Sequence, residues 1–205
     1  MPHKGTDPLI CAAELAVALN HIVSRDIDPW TFCVVNVGAL NSGTAPNVIP
    51  DTARLGFSIR TFDTEVADLA DLAYRRVEEM AAGICQAYGC TYEFEWVPPY
   101  AVVENDPALV DIAFTAARKA VGEENVSETG PSTGSEDFSA FSAVVPGCFI
   151  MLNAGDEKDG LHHQNHHPDF GINEAVLAAG VRTEVQIVLD VLGGQAEGRP
   201  EDAGE

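Results

Sequence analysis

Apolar residues fall into two periods along the chain, and the alternation between them predicts the elements. Leu9, Ala12, Ala13, Ala16, Leu19, Ile22 and Val23 recur at three- and four-residue steps. Thr6-Asp7-Pro8 places a capping side chain and a first-turn proline ahead of them, and Asp28-Pro29 closes the run, so a helix is predicted from Pro8 to about Ser24. Trp30–Leu40 is rich in β-branched and aromatic residues and Ala53–Phe62 alternates, and both read as strands. The dozen residues from Asn41 to Thr52 between them exceed the roughly two to five of a simple hairpin, and so long a loop usually has a task. Glu65–Tyr88 returns to the helical period, with Val66, Leu69, Leu72, Ala73, Val77, Met80, Ala81 and Ile84 on one face and Gly89 as the stop. Thr91–Val97 alternates as a third strand, and Pro98-Pro99 marks a break.

Beyond that break the pattern restarts. Asn105-Asp106-Pro107 caps a helix running to about Val121, Thr129–Ser135 is a turn, and Ser135–Phe138 opens a short helix with acids at its positive end. Pro146–Asn153 reads as a buried strand and Glu174–Leu192 as a mostly apolar helix. Gly193–Glu205 has almost no apolar residues and is expected to be a disordered acidic tail. The first region therefore reads α–β–β–α–β, one strand short of the ferredoxin-like β–α–β–β–α–β unit. The class is mixed α/β (α+β), with domains at 1–102 and 103–192 and a tail at 193–205.

Composition narrows the setting. Acidic residues outnumber basic ones 32 to 11, the net charge is −21, and Lys4, Lys119 and Lys158 are the only lysines. That sign disfavours nucleic acid and anionic membrane surfaces as partners. The acids are spread over helix faces and loops, as expected of a halophilic protein adapted to high internal salt, where self-repulsion is screened. No apolar run is long enough to span a bilayer, and no signal peptide is read at Met1–Asp7. The five cysteines, Cys11, Cys33, Cys85, Cys90 and Cys148, form no C-x-x-C pair and suit buried thiols in a reducing cytoplasm.

The candidate chemistry lies in Leu161–Glu174, LHHQNHHPDFGINE. His162, His163, His166 and His167 fall there within six residues, between an apolar run and an apolar helix. Neutral imidazole is the commonest metal ligand, and a loop presented from a buried framework is where ligands and catalytic groups gather. A plain solvated loop has the same composition.

Further motifs appear in a consistent order: Pro2-His3-Lys4-Gly5-Thr6-Asp7-Pro8, Val23-Ser24-Arg25 with Asp28-Pro29, Asn47-Val48-Ile49-Pro50, Gly56 with Arg60-Thr61-Phe62, Glu136-Asp137-Phe138-Ser139, Val145-Pro146-Gly147 and His166-His167-Pro168-Asp169-Phe170. Over residues 1–192 this order resembles the C-terminal half of hippurate hydrolase-type N-acyl-amino-acid amidohydrolases, a branch of the di-zinc aminoacylase–carboxypeptidase metallopeptidases. The resemblance implies a two-layer, ferredoxin-like lid lacking its first strand, followed by the C-terminal part of an α/β metallopeptidase catalytic domain. It also implies a homodimer formed through the lid, or assembly with a separate N-terminal half.

What the resemblance implies for single residues is specific. His166 aligns with the family's terminal metal ligand, with His162 and His163 as alternatives, and His167 is its neighbour. Asn47 resembles a lid residue that touches substrate, although it also suits a turn cap. Arg60 could pair with a substrate carboxylate, although it also suits a structural salt bridge. His3 and Asp137 are placed as supporting groups near the centre. The expected cofactor is a divalent metal (zinc, manganese or cobalt), and the expected reaction is hydrolysis of the amide bond of N-acyl amino acids or small peptide-like substrates, with lid closure bringing Asn47 and Arg60 to the substrate. The family's other metal ligands and its general base have no counterpart in these 205 residues, so the chain alone is expected to be inactive.

The charge reading predicts that the thermal unfolding midpoint rises as potassium chloride is raised from dilute buffer to molar concentration. Circular dichroism melts across that series check it, and a flat response would refute salt adaptation.

Overall fold

Two units divide the chain in the structure, a computed structural model: Met1–Val102 with Thr133–Ser135, and Val103–Ser132 with Glu136–Glu205. Residues 1–62, 67–97, 100–155, 158, 160–161 and 163–194 are described. The expected tail beyond residue 194 and His162 lie outside them.

In the first unit, helix α1 spans Pro8–Ala18. The Asp7 carboxylate accepts the amides of Leu9 (3.0 Å) and Ile10 (3.2 Å), and Pro8 occupies a position where no amide donor is needed. The helix stops short of its apolar period. The side chains of Asn20 and Ser24 hydrogen-bond back to the carbonyls of Ala16, Val17, Asn20 and His21, and the chain passes into a wider π-type turn at Ile22–Asp26. Leu19 and Ile22 are nonetheless buried, at 1% and 0% exposure.

Strands β1 (Cys33–Ser42) and β2 (Ala53–Thr61) pair antiparallel from Cys33 opposite Thr61 to Ser42 opposite Ala53, with a bulge at Gly38. Helix α2 (Ala67–Tyr88) covers the sheet. Its buried positions Leu69, Ala73, Val77, Ala81 and Cys85 recur every fourth residue. Leu69, Ala73 and Val77 share a core with Leu19, Ile22, Ile27 and Cys33, against which Val35, Val37, Leu55, Phe57 and Ile59 pack. Arg76 on α2 donates to Asp26 at 2.8 Å and pins the π-type turn to the helix.

The third expected strand, Thr91–Val97, is not one. Its alternation survives as an aromatic row: Tyr92 meets Phe94 edge-on, Phe94 stacks on Trp96, and Trp96 meets Phe57 and Tyr74 edge-on. The segment is held by side-chain packing, and among the described residues only β1 and β2 form a ladder.

The second unit is built on α3 (Pro107–Val121), the single turn α4 (Ser139–Ser142) and α5 (Ala175–Gly194). Asp106 caps α3 by accepting the Leu109 amide at 3.0 Å. Lys119 of α3 donates to Asp190 of α5 at 2.8 Å, and Gln186 donates to the other carboxylate oxygen. Lys119, and then Gln186, hold the Asp190 carboxyl below the usual carboxylate range. The buried strand expected at Pro146–Asn153 is neither: Ile150, Met151 and Leu152 are exposed, and it has no neighbouring strand among the described residues. The Asn105 amide substitutes for part of one, donating to the Phe149 carbonyl at 3.3 Å and accepting the Phe149 amide at 2.8 Å.

Two outcomes follow. Leu19→Ala should destabilise the chain by about 2–5 kcal/mol, the usual cost of emptying a buried leucine site, as read by urea unfolding. Because the Asp190 carboxyl is lowered, its pairing with Lys119 stabilises the fold above the ordinary carboxylate pKa of about 4 and is lost as pH falls through the lowered value. Lys119→Gln should therefore flatten the acid limb of the urea midpoint against pH and leave its shape near neutrality unchanged.

Candidate metal centre and substrate residues

The histidine tract is held at its base. The Asn173 amide donates to the Ala154 carbonyl at 2.6 Å. Leu161 seats against two glycines: a Cβ on Gly155 would lie 2.6 Å from Leu161 Cβ, and one on Gly171 would lie 2.9 Å from Leu161 Cδ2. Any side chain larger than hydrogen at Gly155 would displace Leu161 and its backbone, whereas at Gly171 the Leu161 side chain alone would have to turn.

Two turns share His167 inside this frame. The His167 amide donates to the Gln164 carbonyl, and the Phe170 amide donates to the His167 carbonyl. His166 is the third residue of the first turn and has φ 75°, the sign a type II turn requires there and which glycine or asparagine normally supplies. Among the described residues it is the one non-glycine with positive φ. Its side chain is exposed. Pro168 stands second in the following turn, where its fixed φ suits the bend.

The neighbouring donors are closely grouped. Ligand atoms of His163, His167 and Asp169 lie within 4.8 Å of one another, a donor set suited to a zinc-type ion. The orientation fits less well. The His163 and His167 rings stack 3.9 Å apart with planes 2° from parallel, so their in-plane lone pairs run side by side and do not converge. His167 Nδ1 also accepts the Asp169 amide at 3.1 Å, which leaves the proton of a neutral His167 on Nε2. Holding a metal here requires one ring to turn. As it stands, His167 Nδ1 serves the turn beside His166, and His166 is not among these grouped donors.

The remaining sequence candidates are placed as follows. Asn47 is exposed in a turn closed by the Val48 amide on the Ala45 carbonyl, and the base of its loop is tied by the Ser42 hydroxyl donating to the Thr52 carbonyl at 2.8 Å. Arg60 lies on β2, half-buried opposite Val34, and its Nη1 donates to the Thr133 carbonyl at 2.8 Å. That contact joins residues 133–135 to the first unit and orients the guanidinium. His3 is exposed in a short 3-10 turn, Pro2–Lys4. Asp137 is exposed, and its carbonyl accepts the Ala140 amide at the start of α4. Asp169 was not singled out by sequence, although it stands two residues beyond His167 where an Asx-like turn brings it back.

Comparison with known proteins places the chain in a family. Residues 8–190 match the profile of peptidase family M20/M25/M40. N-acetyl-L-cysteine deacetylase of Bacillus subtilis is 36% identical over 177 residues, covering 86% of this chain and 40% of that protein. Thermostable carboxypeptidase 2 of Saccharolobus solfataricus is 33% identical over 189 residues, covering 92% and 47%. The structure resembles that of the YXEP protein of Bacillus subtilis, described as a dinuclear metal binding peptidase from the M20 family, with a TM-score of 0.65 and 26% identity over 92% of this chain and 46% of that one. A protein of methicillin-resistant Staphylococcus aureus gives a TM-score of 0.71 at 26% identity over 93% and 48%. The chain thus spans about half the length of the relatives it matches. The mixed helix-and-strand fold, the ordered motifs and the profile match over most of its length make this chain a member of the M20 family of metallopeptidases and amidohydrolases.

Proposed function

We propose that this chain contributes the C-terminal share of a metal-dependent hydrolase acting on the amide bond of N-acyl amino acids or small peptide-like substrates, with His166 as its metal ligand and Asn47 and Arg60 as its substrate-binding groups. The observation that carries the reading is the left-handed backbone of His166. A non-glycine residue held at φ 75° costs on the order of 1–3 kcal/mol, and such strain collects where a side chain must be aimed. Gly155, Leu161, Gly171 and the Asn173–Ala154 bond supply the rigidity that sustains it.

The remaining residues have defined parts. His167, with Nδ1 engaged by the Asp169 amide, keeps the turn in shape beside the ligand. Arg60 has one of its five donors on Thr133 and presents the others to a substrate carboxylate. Asn47 offers both a donor and an acceptor to the amide being cleaved. A bound zinc, manganese or cobalt ion would supply an acidified water and polarise the scissile carbonyl. The likeness to an N-acetyl-L-cysteine deacetylase and a carboxypeptidase supports this substrate class.

A catalytic zinc takes about three protein ligands, and His166 is one. The rest of the centre is assigned to the N-terminal half of the family's fold. Helix α5 has a surface for it: Leu177, Val181, Val185, Val188 and Leu192 form an outward row, each 52–65% exposed. A row of this kind on an acidic protein marks an interaction site.

The purified chain with added zinc or manganese should release no amino acid from N-acetyl amino acids above the metal blank. Co-expressed with the N-terminal half of the Bacillus subtilis deacetylase, it should gain activity. In that assembly His166→Ala should cost more than the roughly 10–100-fold typical of losing a neighbouring orienting group, and His163→Ala no more than that range. Turnover by the chain alone, or an assembly indifferent to His166→Ala, would defeat the proposal and favour a non-catalytic dimerisation module.

A further inference from the structure

Three of the five cysteines meet in the first unit. Helix α2 ends in a complete Schellman motif. Gly89 is left-handed at φ 69°, its amide donates to the Gln86 carbonyl, and the Cys90 amide donates to the Cys85 carbonyl at 2.8 Å. This cap folds Cys90 back toward the helix end that carries Cys85. Cys11 of α1 faces both. Its thiol donates to Cys85 Sγ, 3.7 Å away, and the Cys90 thiol, which points to the Tyr88 carbonyl at 4.0 Å, lies close enough to interact with it. Cys11 and Cys85 are buried, whereas Cys90 is partly exposed.

The geometry points to an oxidation site: we propose that Cys90 accepts a peroxide and that Cys11 resolves it into a disulfide linking α1 to the cap of α2, with Cys85 as a second partner for Cys11. The chemistry balances. The Cys90 thiolate attacks one peroxide oxygen. A sulfur–oxygen bond forms, the oxygen–oxygen bond breaks, and the departing hydroxide leaves as water with the thiol proton. Cys11 sulfur then attacks the Cys90 sulfenic acid. The sulfur–sulfur bond forms, and the hydroxyl departs as water with the Cys11 proton. Two thiols are oxidised and one peroxide is reduced to two waters. Attack by Cys85 on Cys11 sulfur would release Cys90 and move the bond inward.

Proximity makes the trio selective. A disulfide needs its sulfurs at about 2.05 Å, so for Cys11 and Cys85 closing from 3.7 Å takes a side-chain rotation and no shift of whole helices. Burial, the Cys11 contact and the neighbouring Asp7 charge push the Cys90 thiol up, and burial first of all does the same for Cys11. The thiolate is therefore scarce at neutral pH, and oxidation should accelerate as pH rises. Cys33 and Cys148, whose thiols are pushed up chiefly by burial, serve as internal controls. The inference rests on the packing of the first unit and stands apart from the hydrolase reading.

The test is peroxide treatment of the purified full chain, alkylation and peptide mapping. The expected product is one intramolecular disulfide joining Cys11 to Cys90 or to Cys85, reversed by a dithiol reductant, with Cys33 and Cys148 still alkylated. Cys90→Ser should slow loss of the Cys11 thiol by about tenfold or more, because the accessible entry point is gone. Cys11→Ser should leave a Cys90 sulfenic acid that dimedone traps. In urea the preference for these pairs should vanish. Equal loss of all five thiols in the folded chain, or a Cys90→Ser chain oxidised as fast as the parent, would overturn the proposal.

Discussion

Leu161 fills a space that only glycine leaves open, and the presentation of the histidine tract depends on that fit. With hydrogen at Gly155 and Gly171, Leu161 approaches the backbone on both sides of the loop, and the short Asn173–Ala154 bond closes its base. A loop secured at its base can hold an unfavourable dihedral at its tip. His166 occupies such a position, and the two successive turns around it leave little room for relaxation. The cost of its left-handed backbone is offset by contacts remote from the imidazole, as expected where a side chain's direction matters more than local ease.

Much of this was legible in the sequence, for reasons that differ by element. The caps at Asp7 and Asp106 and the four-residue repeat along α2 are local signals, and local hydrogen bonding and burial answer to them. The early end of α1 was not legible, because the same apolar period continues through Leu19 and Ile22 while side-chain bonds from Asn20 and Ser24 alter the winding beneath it. The segments at Thr91–Val97 and Pro146–Asn153 teach a second lesson. Alternation in Thr91–Val97 reports which side chains pack together, whereas a strand also requires a neighbouring backbone, and at Pro146–Asn153 apolarity did not even report burial, since Ile150, Met151 and Leu152 are exposed. The aromatic row and the Asn105 amide satisfy these segments by other means. At the candidate site, the histidine tract and Arg60 were visible as residue types. The positive φ of His166 was hidden, because a type II turn is normally read from glycine or asparagine at its third position, and here asparagine stands one place earlier, at Asn165.

The two units spend their apolar residues differently. In the first, helix and sheet enclose a shared core, and α2 is amphipathic in the ordinary way, its small buried side chains inward and its charges outward. In the second, α5 packs on α3 and still carries its outward apolar row, with Arg182, Glu184 and Asp190 as the charges along its length. Helix propensity cannot explain that row, since exposed positions on a helix gain nothing from branched apolar side chains. The net charge of −21 adds a condition: any acidic partner approaching α5 meets long-range repulsion in dilute buffer. Salt shortens the range of that repulsion while leaving apolar burial intact or stronger. The same ionic strength that would stabilise this acidic chain would therefore also promote coverage of α5, so that folding and assembly respond to one variable in the same direction.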